Sequence, residues 1–294
     1  MRYNMRRKQV HFMKISNQRY EITFCTKGGE MQSFLDKETG IEYLYQGDTP
    51  YWSGKNPALF PMIGNTYTKD YEIDGKKYAM KNHGLIRYQD LTCIEQDDHS
   101  ITFAFTDTQE TRKQYPFPFQ YQVHYALQDR QVTITYEITN TGAKDMPFMF
   151  GLHPAFLCPL TKSETFEDYR LIFSNEEHVE QLKFKNGVSY ESVDVKEIPL
   201  RYDWIVNEDT VIYKNCRSAY VTLQGKEHGV KVSIAGYPFL AFWTPKEGAP
   251  FICIEPWLGH GDFEPSKEDF YHREGTLILS PKKTFTTSYI IEVF

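Results

Sequence analysis

Apolar and polar side chains alternate with a two-residue period through most of this 294-residue chain, and no long stretch repeats its apolar residues at helical spacing. Successive side chains of an extended strand point to opposite faces, so this alternation predicts strands with one buried face. Arg19 to Cys25 and Ser100 to Phe105 read this way, and Tyr121 to Leu127 and Gln131 to Thr139 read as antiparallel neighbours joined at Gln128-Asp129-Arg130. Further strands are expected at Tyr169 to Phe173, Ala219 to Leu223, Gly229 to Ala235, Phe239 to Thr244, Phe251 to Glu255, Gly275 to Leu279 and Phe285 to Phe294. Turn signals separate them at Asp74-Gly75, Asn140-Thr141-Gly142, Asn186-Gly187, Gln224-Gly225 and Glu247-Gly248. Only short helical turns are expected, around Gln109 to Gln114 and Ser266 to Asp269. Many strands at short spacing, without helices between them, predict an all-β fold: one large antiparallel β-sandwich.

No Gly/Ser/Pro-rich linker divides the chain and no internal repeat is visible, so residues 13–294 read as one domain. Residues 1–12, with the basic cluster Arg2, Arg6, Arg7 and Lys8, read as a flexible extension ahead of a more ordinary sequence that begins at Met13. The net charge of −6 argues against nucleic acid, which rewards a basic face. No run of about 18 apolar residues predicts a membrane span, and the N-terminus lacks the apolar core of a signal peptide. Five dispersed cysteines, with no metal-ligand spacing, read as reduced thiols in a cytoplasmic protein. Neither a Gly-rich dinucleotide fingerprint nor a P-loop is present, so no nucleotide cofactor is expected. A serine hydrolase is disfavoured by the lack of a Gly-x-Ser-x-Gly elbow. The sequence sets no oligomeric state.

Three segments break the alternation by placing ionisable residues among Gly, Pro and aromatics: Asn82-His83-Gly84-Leu85-Ile86-Arg87, Phe150-Gly151-Leu152-His153-Pro154-Ala155-Phe156 and Phe251-Ile252-Cys253-Ile254-Glu255-Pro256-Trp257. Glu255 follows an apolar run. It is either a carboxylate turned to solvent at a strand exit or a general base in a desolvated cleft, its pKa raised toward working pH. His153 is either a satisfied core histidine or a proton donor, held extended by Pro154. His83 alone is weak evidence, and Arg87 fits either a structural ion pair or a grip on an oxygen-rich ligand. His260, between two glycines, is a minor candidate. Metal is not expected: His83, His153 and Glu255 are a conceivable ligand set, but no His-x-x-x-His or paired-Cys motif supports it. Trp52, Phe156 and Trp243 read chiefly as core, whereas Trp257 is the best candidate to stack on a ligand.

Together and in order, these segments resemble the aldose 1-epimerase (galactose mutarotase-like) family, nearest its LacX-like branch. The resemblance runs from about Met13 to the end. It rests on Asn56-Pro57-Ala58-Leu59-Phe60-Pro61 with Gly64-Asn65, on His83-Gly84-Leu85-Ile86-Arg87, on Gly151-Leu152-His153-Pro154-Ala155-Phe156 and on Ile254-Glu255-Pro256-Trp257. It implies a galactose mutarotase-like supersandwich with a sugar in a cleft on one side, Glu255 as catalytic base, His153 as acid and His83 near the ring oxygen, sharing in proton transfer. It also implies a sugar-binding group from Asp209, Asn65, Arg87 and Trp257. The family's early arginine has no counterpart here; Lys55 stands nearest, which opens the choice of sugar. The implied reaction is acid-base opening and closure of an aldohexose ring, without cofactor. Alternatives within the fold are a hexose-6-phosphate mutarotase, which needs cations for the phosphate, and a non-catalytic carbohydrate-binding protein.

Overall fold

The computed structural model describes residues 13–184, 187–266 and 268–294. The expected extension, residues 1–12, lies outside them. The predicted hairpin forms from strands Phe119–Gln128 and Gln131–Asn140, paired in register with Gln131 opposite Gln128. Phe119, Tyr121, Val123, Tyr125 and Leu127 are all buried on one face of its first strand. Asp129 makes the turn with φ of +52°, a conformation that Asp tolerates.

This hairpin belongs to a fifteen-stranded sheet. On one side it continues through Ser100–Thr106 to Thr92–Gln96. On the other it passes through Thr284–Val293, Gly229–Ser233, Tyr220–Gln224 and Arg170–Lys183 to Val211–Lys214. It then reaches Phe239–Trp243, Phe251–Trp257 and the short pairs Gly151–Leu152 and Ala58–Leu59. The strand pairings are antiparallel throughout. A separate three-stranded sheet, Met13–Ser16, Tyr20–Phe24 and Met31–Asp36, adds its buried Ile22, Phe24 and Phe34 to the same core.

The core is rich in tyrosine, and buried hydroxyls need partners. Tyr115 donates to the Pro147 carbonyl (2.7 Å) and Tyr125 to that of Gly29 (2.9 Å). The helical turn expected at Gln109 to Gln114 is the helix Gln109–Gln114, capped by Thr108, whose side chain accepts from the Thr111 N–H. The turn expected at Ser266 to Asp269 falls later, as a 3-10 turn at Phe270–His272. The strand expected at Tyr169 to Phe173 runs on to Lys183 and pairs with Ser189–Pro199, which alternation does not reveal because its side chains are mostly exposed. Asn186 of the expected Asn186-Gly187 turn lies outside the described residues. Among the described residues no helix is long and apolar enough to cross a membrane.

Candidate active site

Strand Phe251–Trp257 is buried along its whole length. Its alternation puts Phe251, Cys253, Glu255 and Trp257 on one face. On one flank Ala241 of strand Phe239–Trp243 lies opposite Glu255. On the other, Gly151 pairs with Trp257 and Ala155 with Cys253. Both pairs share one register, so His153 falls directly across from Glu255. Its Nε2 is 3.4 Å from Glu255 Oε2. The His153 backbone N–H donates to Pro57 O (3.1 Å), which ties the histidine to the Ala58–Leu59 strand.

Gly151 makes this packing possible. A Cβ there would stand 2.7 Å from Trp257 Cδ1 and 2.9 Å from Ile63 Cδ1. The His153 ring is fixed by aromatic neighbours. Trp52 stacks on it (centroids 4.6 Å apart, planes at 22°), and Trp243 and His83 meet it edge-on at 5.6 and 5.3 Å.

His83 arrives from a loop with φ of +64°. Two hydrogen bonds hold that conformation: its N–H donates to Gly64 O (2.8 Å), and the Gly64 N–H donates to its Nδ1 (3.1 Å). Because Nδ1 accepts, the neutral ring carries its proton on Nε2. Burial, aided by the Arg87 charge, pushes its pKa down to about 3. His83 is therefore a neutral hydrogen-bond donor over the physiological range.

These groups line a cleft of about 700 Å³ with Arg87, Asp209, Asn65 and Trp257. Arg87, on the 3-10 turn Ile86–Tyr88, has no ion-pair partner among the described residues and lies over the Tyr88 ring. Asp209 follows the short helix Tyr202–Val206 and is exposed, as is Asn65. Lys55 is not brought to the cleft. Its Nζ bonds Gln32 O (3.3 Å) and Gln46 Oε1 (3.4 Å). His260 stacks on Phe263 behind the cleft wall and faces Glu274. Trp52 and Trp243, read from sequence chiefly as core, line the cleft, whereas Phe156 is fully buried. Two other surface hollows, of about 580 and 740 Å³, set no buried carboxylate against an imidazole.

Electrostatically the pair is dry. Glu255 is 1 % exposed, and burial holds its carboxyl well above the usual carboxylate range, opposed by the Trp257 indole and Arg87. His153 is held well below the usual imidazole range, first by burial and then by the neighbouring His83 ring and the Arg87 charge. Glu255 Oε2 and His153 Nδ1 are buried without hydrogen bonds. Unpaired buried polar atoms are costly to a fold. Donor atoms of His153, Cys253 and Glu255 also lie within 4.8 Å of one another. The sequence-based metal set contained His83 in place of Cys253; the i, i+2 spacing of Cys253 and Glu255 was the available signal.

The sequence model of one family, aldose 1-epimerase, matches residues 11–288. The chain belongs to the aldose 1-epimerase family. Among curated relatives of this epimerase-family chain, the chromosomal LacX protein of Lactococcus lactis subsp. lactis is 30 % identical over 268 residues, spanning 84 % of this chain and 87 % of that one. Two solved structures share the fold. A galactose mutarotase related enzyme from Lactobacillus acidophilus superposes with a TM-score of 0.90 at 27 % identity, over 96 % of this chain and 97 % of its own. A galactose mutarotase-like protein from Lactobacillus casei ATCC 334 gives 0.89 at 29 %, over 96 % and 100 %. The architecture is the galactose mutarotase-like β-sandwich expected from the motifs.

Proposed function

We propose that this member of the family is a cytoplasmic aldose 1-epimerase that interconverts the α and β anomers of a free aldohexose. One observation carries the reading: Glu255 and His153 face each other across neighbouring strands at 3.4 Å, buried, on the floor of a cleft lined by aromatic and polar side chains. The five free thiols accord with a reducing compartment.

Ring opening needs a base for the C1 hydroxyl proton and an acid for the ring oxygen. Glu255 takes the first proton and His153 delivers the second. Rotation about C1–C2 exposes the other carbonyl face, and the two transfers then run backwards. The pair holds one proton throughout. With the ring closed it is a carboxylate and an imidazolium; with the ring open it is a carboxylic acid and a neutral imidazole. Burial favours the neutral pair, so the dry floor stabilises the open-chain state relative to water. His83 assists through its Nε2–H as a hydrogen-bond donor. Its ring stands edge-on to that of His153, which suits it to share in proton transfer near the ring oxygen, as the family resemblance implied.

Arg87 is the sole lysine or arginine among the described residues that line the cleft, and Asp209 and Asp262 line it too. This balance suits a polyol better than a phosphate dianion. The test is the rate of anomer exchange, by polarimetry or exchange NMR, on α-glucose, α-galactose and glucose 6-phosphate. Acceleration is expected on a free sugar and should fall by roughly 10²–10⁴-fold in Glu255→Gln. Acceleration of the phosphate alone would overturn the substrate, and binding without acceleration would overturn the activity.

A further inference from the structure

The register that sets His153 against Glu255 also brings in a thiol. Cys253 lies two residues before Glu255 on the same strand face, and donor atoms of His153, Cys253 and Glu255 all lie within 4.8 Å of one another. We propose that these three side chains bind one thiophilic divalent cation of the Zn²⁺ type, and that its binding shuts off the site. The second half rests on the epimerase reading; the first does not.

The donor set selects the metal. Imidazole, thiolate and carboxylate are ligands of zinc and its soft neighbours, whereas magnesium and calcium ask for oxygen alone. Bonds of about 2.0–2.3 Å at tetrahedral angles place donors about 3.3–3.6 Å apart. His153 Nε2 and Glu255 Oε2 already stand 3.4 Å apart. Cys253 Sγ, within 4.8 Å of a donor of each, joins them by a movement of no more than roughly 1.5 Å. Glu255 Oε2 is buried with no hydrogen-bond partner, so a cation there fills an empty demand. His153 and Glu255 line the cleft, which provides an entry path and an open fourth position.

The same geometry makes the cation a visitor. Histidines that hold a resident zinc donate their other ring N–H to a carboxylate, carbonyl or water, which fixes the ring and strengthens the bond. His153 Nδ1 is buried with no such partner. The metal would use the lone pairs through which Glu255 and His153 exchange protons with a sugar, so occupancy and turnover exclude each other.

Titrating the chelator-stripped full-length protein with Co²⁺ tests the binding directly. Thiolate ligation adds a charge-transfer band in the near ultraviolet, and a tetrahedral site gives visible d–d bands. We expect one saturable equivalent, displaced by Zn²⁺. Cys253→Ser should remove the near-ultraviolet band and weaken Zn²⁺ binding by more than about tenfold. Cys253→Ala replaces it should the buried hydroxyl unfold the chain, and Cys25→Ser should keep wild-type binding. Absence of a saturable Co²⁺ signal, or a thiolate band that persists without Cys253, overturns the site. Anomer exchange with and without Zn²⁺, each variant against its own metal-free rate, tests the inhibition. A metal-loaded protein that turns over as fast as the free one overturns inhibition alone. Binding by a protein that accelerates no sugar even when metal-free leaves the site standing and sinks the epimerase reading.

Discussion

Glu255 is a carboxyl whose location costs the fold stability. Its pKa is raised by burial, so the folded chain keeps a proton that the unfolded chain releases above its ordinary value of 4.5. Stability from the neutral acid is full below that value and drains away as pH rises through the raised pKa. His153, with its pKa depressed, has the opposite sign: its contribution is present above 6.5 and is lost as pH falls. Glu255→Gln is therefore expected to raise the melting temperature at pH 8, by roughly 2–4 °C per kcal/mol of relief, and to change it little at pH 4. Calorimetry at both pH values checks this, and an equal shift at both would assign the effect to packing. The sequence exposed Glu255 and His153 because each interrupts an apolar run. Lys55 was placed by chain order alone, and its ammonium turns instead to the acceptors of Gln32 and Gln46. Trp243 read chiefly as core because apolar neighbours make a cleft residue look like a core one, and Cys253, fully buried behind the cleft, carried no polar signal.

The strand elements that build the site are short, and their fit is tight. Gly151→Ala would drive a Cβ into Trp257 and Ile63. Overpacking of this kind costs about 1–3 kcal/mol. Because Trp257 lines the cleft, sugar binding should weaken as well, and Trp fluorescence should change with it. Chemical denaturation and sugar titration of the variant measure the two effects; unchanged stability would mean that Ile63 and Trp257 relax freely. Alternation revealed strands that bury one face, such as Phe119–Gln128. It missed Ser189–Pro199, whose side chains are mostly exposed and bury little beyond Val193, Val195 and Ile198, and it ended the strand from Arg170 too early because polar residues 174–178 interrupt its pattern.

Across the molecule, a buried ion pair ties the cleft wall together. Arg273 Nη1 lies 2.7 Å from Asp262 Oδ2, with side chains 8 % and 10 % exposed. Asp262 also accepts from the Tyr67 N–H, and its own N–H donates to Asn65 O. Arg273→Ala leaves that largely enclosed carboxylate with the Tyr67 N–H but without its cation, a loss of up to about 3–5 kcal/mol. Urea denaturation is expected to show the loss, and Asp262→Asn combined with Arg273→Ala should recover part of it. The fold class was legible because strand patterns are local. The joining of remote strands was not, because pairing partners such as Gly151 and Trp257 lie far apart in the chain and carry no local signal.

That remoteness bears on synthesis. The ladder Ala58–Leu152 and Gly151–Trp257 places His153 and Glu255 on segments that leave the ribosome far apart in time. A nascent chain that has emerged through His153 still lacks its carboxylate partner, and long-range pairing of this kind closes slowly. On the proposed reading, sugar binding needs both segments, and its appearance during translation would time the moment at which strand Phe251–Trp257 takes its place.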